Sequence, residues 1–183
     1  MSGRAPEGLL RFGRLDDRLE VGGPHAVAWD VLGNYGAVLS AWVSAEGEIS
    51  FEADILECWT PGRWRGVCGG GSGSVLKLEP PLPPQSVWPF AGLLVMGTVG
   101  LDVAADDDSD AALDAVFGIL APPACSVAVR RDGRARVVEA FPGSRAFVAL
   151  TLGRERARLT PYAEDRRRVG DEVIVGHRFS GAL

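Results

Sequence analysis

Histidine and lysine are scarce in this sequence, which has 183 residues but only two histidines and one lysine, Lys77. His25 and His177 are therefore the only side chains available as histidine bases for nucleophilic catalysis. The sequence also lacks the Gly-x-Ser-x-Gly elbow, the phosphate-binding loop and the His-Glu-x-x-His zinc motif. No motif of the common serine hydrolases, nucleotide hydrolases or zinc proteases is thus present.

Cysteine is also sparse, and its pattern argues against disulfides and metal binding. Cys58, Cys68 and Cys125 are odd in number and have no Cys-x-x-Cys spacing. The first residues of the sequence lack the apolar stretch of a secretory signal peptide. We therefore expect reduced thiols, a cytoplasmic location, and neither a metal nor another cofactor.

No hydrophobic run has the length and composition of a membrane-spanning helix. Residues 80–101 carry no charge, but they include five prolines and three glycines. Their compact apolar part is shorter than the ~20 residues that a spanning helix requires. The composition as a whole, 46% hydrophobic and 23% charged, is that of a folded globular protein. We therefore expect a folded protein without a membrane segment.

The formal net charge of −5 conceals a division along the chain. Residues 1–124 hold seven basic and seventeen acidic residues, a formal charge of −10. Residues 125–183 hold twelve arginines and seven acidic residues, a formal charge of +5. Such asymmetry indicates interaction surfaces and says little about the fold. The preference for Arg over Lys, with abundant Ala, Gly and Val, is typical of a GC-rich genome and favours a bacterial-type protein.

Apolar and polar residues alternate in short runs separated by Gly, Asp and Pro, a pattern that predicts antiparallel β-structure. We predict a mainly β protein, either an antiparallel β-sandwich or two small β lobes. The clearest hairpin lies within residues 37–57, where a turn at 46–47 would place Trp42 opposite Phe51. Further candidate strands cover residues 10–15, 18–21, 26–32, 75–78, 93–103, 146–152, 156–160 and 172–179.

A second hairpin is centred on the Asp-Gly dipeptide at 132–133. A two-residue loop would place Arg131 opposite Arg134, whereas a three-residue loop with a Gly bulge would place Val129 opposite Ala135. We favour the three-residue loop, because two like charges directly opposite each other are unfavourable.

One segment, residues 110–120, has the spacing of an amphipathic helix. Its larger apolar residues fall at i, i+3, i+4 and i+7 and would form one stripe: Leu113, Val116, Phe117 and Leu120. Two prolines at 122–123 would end the helix. We therefore predict one helix in an otherwise β protein.

Two segments of low complexity suggest a division of the chain into domains. Residues 69–74 consist of Gly and Ser only and predict a flexible loop, and residues 80–84 predict an extended Pro-rich segment. We predict an N-terminal β lobe at 8–79, a Pro-rich connector at 80–89 and a C-terminal β lobe at 90–180. A single domain over residues 8–180 is the alternative.

The acidic residues before the predicted helix resemble the start of a calcium loop. Asp106, Asp108 and Asp110 match its first three acidic positions. Ala111 stands where the loop requires Gly, and Phe117 stands where it requires Glu. Calcium remains a weak alternative to an acidic loop that favours a helix N-terminus.

Two groups of residues are candidates for partner binding. Residues 59–65 combine Trp and Arg, the residue types enriched in binding hot spots, around a Pro-Gly turn. The candidates there are Trp59, Arg63, Trp64 and Arg65. The alternative is that one or both indoles fold back over the sheet, with Arg stacked on top.

The second group consists of arginines in the basic part of the chain, and it is a candidate for binding an anion. These residues are Arg154, Arg156, Arg158, Arg166, Arg167 and Arg168. Acidic residues are interspersed among them and no RNA-binding aromatic motif accompanies them, which argues against nucleic acid as the partner. A solvated strand face is the alternative.

From these observations we predict a noncatalytic protein-binding or assembly module, with a protein partner or self-association. One alternative is a small hydrolase-like enzyme whose site forms around His177. The other is anion or nucleic-acid binding through the arginines of residues 154–168.

Overall fold

The computed structural model describes residues 25–43, 48–77, 91–104, 110–141 and 144–176. These ranges form eleven strands and contain no helix, and so none that could cross a membrane. The strands are β1 (His25–Leu32), β2 (Tyr35–Val43), β3 (Glu48–Thr60), β4 (Arg63–Lys77), β5 (Leu93–Ala104), β6 (Asp110–Leu120), β7 (Ala124–Arg131), β8 (Arg134–Glu139), β9 (Ala146–Gly153), β10 (Ala157–Ala163) and β11 (Val173–Val175). The candidate strands at 10–15 and 18–21 lie outside the described residues.

The strands form three sheets, and neighbouring strands in each sheet are antiparallel. Sheet A has the order β1-β2-β3-β4, sheet B has β5-β6-β9, and sheet C has β11-β10-β7-β8. The prediction of a mainly β protein with antiparallel sheets is thus confirmed.

Sheet B lies between the other two sheets. On one face it shares a hydrophobic cluster with sheet A, in which Phe51 and Ile55 pack with Phe117 and Val148. On the other face it shares a second cluster with sheet C, through residues such as Phe147. The first cluster combines residues from before and after the predicted connector, which lies outside the described residues. The boundaries at 8–79 and 90–180 stay a prediction.

The predicted helix at residues 110–120 is wrong, because this segment is strand β6. β6 is the central strand of sheet B and is covered on both faces, so Asp114, Val116 and Phe117 are all buried. A strand that is buried on both faces needs a nearly continuous apolar run. The helical spacing of the larger apolar residues is a coincidence within that run.

The predicted flexible loop at residues 69–74 is also wrong, since these residues belong to β4, in which residues 69–72 pair with β3. A Cβ atom at Gly70 would lie 3.1 Å from Cγ2 of Val99 in β5. The missing side chain at Gly70 therefore allows sheet B to approach β4 closely. Here a Gly-rich composition serves close packing between strands.

The register of the β2–β3 hairpin differs by one residue from the prediction. Ala41, and not Trp42, lies opposite Phe51. Such a shift exchanges the two faces of a strand, and Leu39 consequently packs in the cluster with sheet B. Val38 is also buried, on the other face of sheet A. Because β2 is apolar on both faces, its sequence pattern did not distinguish the two registers.

The hairpin between β7 and β8 has the two-residue loop, so the predicted three-residue loop is wrong. Arg131 lies opposite Arg134, and the turn residues Asp132 and Gly133 have φ values of 47° and 73°. Positive φ at both central residues is the requirement of the tight turn that suits a hairpin. The argument from like charges fails because Arg131 is buried beside Asp114, whereas Arg134 is exposed.

Candidate partner-binding surfaces

The β3–β4 hairpin extends beyond the strand beside it. Tyr35, the first residue of β2, pairs with Glu57, so the residues of β3 after position 57 have no partner in β2. The backbone N–H of Cys58 instead donates a hydrogen bond of 2.8 Å to the carbonyl oxygen of Asn34 in the β1–β2 turn. We call residues 57–65 the hairpin tip, and it presents its side chains at one end of sheet A.

Trp59 is the most exposed large apolar side chain of the described residues, with 71% of its surface accessible. The Cζ atom of Arg65 lies 4.9 Å from the centroid of the Trp59 ring, a distance typical of a cation–π contact. Nε and Nη2 of Arg65 donate hydrogen bonds of 3.1 and 2.7 Å to Oε2 of Glu57. Glu57 and Arg65 are also cross-strand partners. The ion pair therefore holds the guanidinium over the exposed indole.

The other two predicted residues of the tip lie in different environments. Arg63 is exposed beside the turn, and no carboxylate of the described ranges forms an ion pair with it. Trp64 is half-buried and packs with Val38 and Leu56 on the outer face of sheet A. Its Nε1 is buried and has no hydrogen-bond acceptor in the described part of the protein. The structure thus brings Trp59 and Arg65 together, while Trp64 folds back over the sheet.

The six arginines of the predicted anion-binding surface are all exposed: Arg154, Arg156, Arg158, Arg166, Arg167 and Arg168. The first two lie in the connection between β9 and β10, and only the third lies in a strand. Three of the six are next to carboxylates, as the pairs Arg158–Glu172 (3.0 Å), Arg167–Asp165 (3.7 Å) and Arg168–Asp171 (3.9 Å). These ion pairs reduce the positive charge available to an anion, and anion binding here stays a prediction.

The remaining candidates for chemistry fall largely outside the described residues. His177 lies there, as do Asp106 and Asp108 of the suggested calcium loop, and Asp110 begins β6. Within the ranges that are described, no group of three His, Cys, Asp or Glu side chains could hold a metal ion. The three cysteines are free thiols.

Within the described ranges, the most extensive side-chain polar contacts are made by two arginines that the sequence did not indicate as candidate site residues. Nη1 of Arg131 donates to Oδ2 of Asp114 (2.7 Å) and to Oγ1 of Thr151 (2.8 Å). Both side chains are almost fully buried. Arg131 is in phase with the buried residues Val127 and Val129 of β7, and a charge on an apolar strand face is a sequence pattern that predicts a buried ion pair.

The second arginine, Arg136 in β8, joins all three sheets at one point. Its Nη1 donates a hydrogen bond of 2.9 Å to Oδ1 of Asp30 in β1, and its Nη2 also contacts the Asp30 carboxylate. Nη2 donates to the carbonyl oxygen of Leu150 in β9 (2.6 Å), and the N–H of Leu150 donates to Asp30 (2.7 Å). Because β9 is an edge strand of sheet B, this contact occupies backbone groups that would otherwise be open to pairing.

Comparison with known proteins finds no relative of this chain. No protein-family model, no curated protein and no solved structure matches it. Any assignment of function therefore depends on the geometry described above.

Proposed function

We propose that this protein is a noncatalytic protein-binding or assembly module whose hairpin tip contacts the partner. The observation that carries the proposal is the exposed indole of Trp59, held by Arg65 and Glu57. Trp and Arg are the residue types that most often dominate binding energy at interfaces. Because the ion pair already restrains Arg65, less side-chain entropy is lost when a partner covers the tip.

The charges of the tip indicate the chemistry of the partner surface. Glu57 compensates the charge of Arg65, so the stacked pair presents a nearly neutral, largely apolar surface. Arg63 adds one uncompensated positive charge at the turn. The matching surface would contain an apolar recess for the indole and a carboxylate beside it, either on another protein or on a second copy of this chain.

Affinity capture from the native cell extract tests the proposal, with the wild type, Trp59→Ala and a matched control compared side by side. The control is Ile174→Ala, which removes an apolar side chain that is 51% exposed on sheet C. We expect Trp59→Ala to lose a captured protein that the control retains. Sedimentation velocity of the purified wild type and both variants tests self-association by the same comparison. Unchanged partners and unchanged sedimentation for Trp59→Ala would contradict a binding role for the tip.

A cytoplasmic setting is part of the proposal and is supported by the free thiols at Cys58, Cys68 and Cys125. A β-sandwich is also part of it, supported by the face-to-face packing of the three sheets. The division into two β lobes is the alternative arrangement.

A further inference from the structure

A cleft of about 500 Å³ lies between the β1–β2 turn, the β7–β8 hairpin and β9. This volume is within the range of small-molecule sites, which is ~300–1,000 Å³. Among the described residues, its lining contains three arginines, Arg131, Arg134 and Arg136, and no carboxylate. No residue of the hairpin tip lines the cleft. A ligand in the cleft therefore does not depend on the function proposed for the tip.

Arg131 has a relative exposure of only 5%. Of its two terminal nitrogens, only Nη1 donates hydrogen bonds to described residues. Nη1 donates to Asp114 and Thr151, but Nε and Nη2 are buried without a hydrogen-bond acceptor among the residues that the structure describes. A buried donor that lacks an acceptor is unfavourable and uncommon in native proteins. Arg131 therefore belongs to the wall of the cleft, but these two donors are closed off from it.

The other two arginines differ in how far their charge is compensated. Arg136 is paired with Asp30, whereas Arg134 is exposed and forms no ion pair with a carboxylate of the described chain. Asp114 and Asp30 thus compensate Arg131 and Arg136, and the charge of Arg134 remains. One uncompensated positive charge on an exposed lining residue matches a ligand that carries one negative charge.

Most of the remaining lining is apolar, which requires that the ligand also has an apolar body. The side chains that form this wall are Leu32, Tyr35, Val129, Leu150 and Leu152. We propose that the cleft binds a small amphiphilic carboxylate, an aliphatic or aromatic monoanion. Its carboxylate pairs with Arg134, and its apolar body lies along the wall. A charge-assisted bond at the opening with apolar burial behind it is a common design of small-molecule sites.

Calorimetric titration of the full-length protein with octanoate tests this site, with octylamine and 1-octanol as probes of the same chain length. We expect octanoate to bind, octanol to bind roughly tenfold more weakly and octylamine not to bind, since a hydrogen bond to a charged group contributes about a factor of ten or more. Arg134→Gln should weaken octanoate binding by a similar factor. Arg130→Gln, which removes an exposed arginine from the outer face of β7, should leave it unchanged.

Amide chemical shifts locate the bound octanoate independently of the affinities. The shifts should concentrate in residues 32–35, 134–136 and 150–152, and Trp59→Ala should not change the octanoate affinity. The inference is overturned if octanoate does not bind, if octanol binds as tightly as octanoate, or if Arg134→Gln and Arg130→Gln behave alike. Loss of octanoate binding in Trp59→Ala would likewise overturn it, because the hairpin tip would then be the site.

Discussion

At the scale of single residues, the ion pair between Arg131 and Asp114 is the most deeply buried one in the described part of the chain. The two side chains are 3% and 0% exposed, and their closest atoms are 2.7 Å apart. Removing two charges from water is costly, and their attraction offsets this cost only while both partners are present. Thr151 adds acceptors for the same guanidinium. Loss of the Asp114 carboxylate would leave the charge of Arg131 buried without its ion-pair partner.

We therefore expect Asp114→Asn to lower the free energy of unfolding by about 3–5 kcal/mol, measured by urea denaturation. Asp165→Asn is the matched control, because Asp165 forms an exposed pair with Arg167. Exposed pairs contribute only ~0–1 kcal/mol. If Asp114→Asn and Asp165→Asn both lowered the free energy of unfolding by similarly small amounts, the fold would not depend on the buried pair.

Asp54 should make stability depend on pH. Burial, and to a smaller extent the charge of Glu52, raises the pKa of Asp54 above its usual value. The folded protein then binds the proton more tightly than the unfolded chain, so ionised Asp54 lowers stability at neutral pH. This loss is relieved as the pH falls through the raised pKa of the folded state.

Asp54→Asn should accordingly raise the free energy of unfolding at pH 7, and its advantage should disappear once the pH is below the ordinary Asp pKa of 3.8. Denaturation curves at the two pH values measure this difference. Asp102→Asn removes an exposed carboxylate in β5 and should change stability by less than ~0.5 kcal/mol. Destabilisation by Asp54→Asn at pH 7 would contradict the assigned effect of burial.

At the scale of elements, burial on one face decides which strands could be predicted from sequence. β8, the second strand of the hairpin predicted around residues 132–133, shows this pattern, since exposed residues alternate with the less exposed Arg136 and Val138. β6 has no such alternation, because sheets A and C cover both of its faces. Its helical spacing was therefore misleading, and the partner of Asp114 depends on contacts between sheets that no local pattern specifies.

The close packing of β6 against β5 leads to a test at Gly118. A Cβ atom at this position would overlap the backbone carbonyl oxygen of Leu94, and it would also crowd the ring of Phe147. Because backbone cannot move aside as a flexible side chain can, Gly118→Ala should cost at least the ~1–3 kcal/mol of an overpacked core. Gly66→Ala is the control, since a Cβ atom there has no neighbour within 4 Å.

Thermal or urea denaturation of the two variants measures the difference. Gly66→Ala should be neutral or slightly stabilising, because it reduces the freedom of the unfolded chain. Equal stability of both variants would show that β5 and β6 do not approach each other as closely as the structure indicates.

The hairpin tip shows how far a candidate site follows from sequence. The combination of Trp and Arg around a Pro-Gly turn drew attention to residues 59–65, but it did not distinguish the two indoles. That distinction depends on the register, in which Cys58 pairs with Trp64 and Trp59 is left beside an irregularity in the pairing. Trp64 then packs on sheet A while Trp59 projects from the tip.

At the scale of the whole molecule, the acidic and basic parts of the chain meet in specific ion pairs. Asp114 and Asp30 belong to the acidic first part, and their partners Arg131 and Arg136 belong to the basic second part. The Asp30–Arg136 pair brings together residues 106 positions apart in the sequence and also binds the free edge of β9 at Leu150. Part of the charge asymmetry along the chain is therefore used inside the fold.

These ion pairs and the cluster between sheets A and B lead to a test of the predicted lobes. Phe51 and Ile55 of sheet A bury their side chains against sheet B, which is formed entirely by residues after the predicted connector. A fragment of residues 1–79 would expose this apolar face to water. We expect the fragment on its own to show no cooperative unfolding transition when it is titrated with urea and monitored by tryptophan fluorescence.

Adding the fragment of residues 80–183 should restore a cooperative transition. If residues 1–79 unfolded cooperatively alone, the first lobe would be an independent domain, and the single-domain alternative would be wrong.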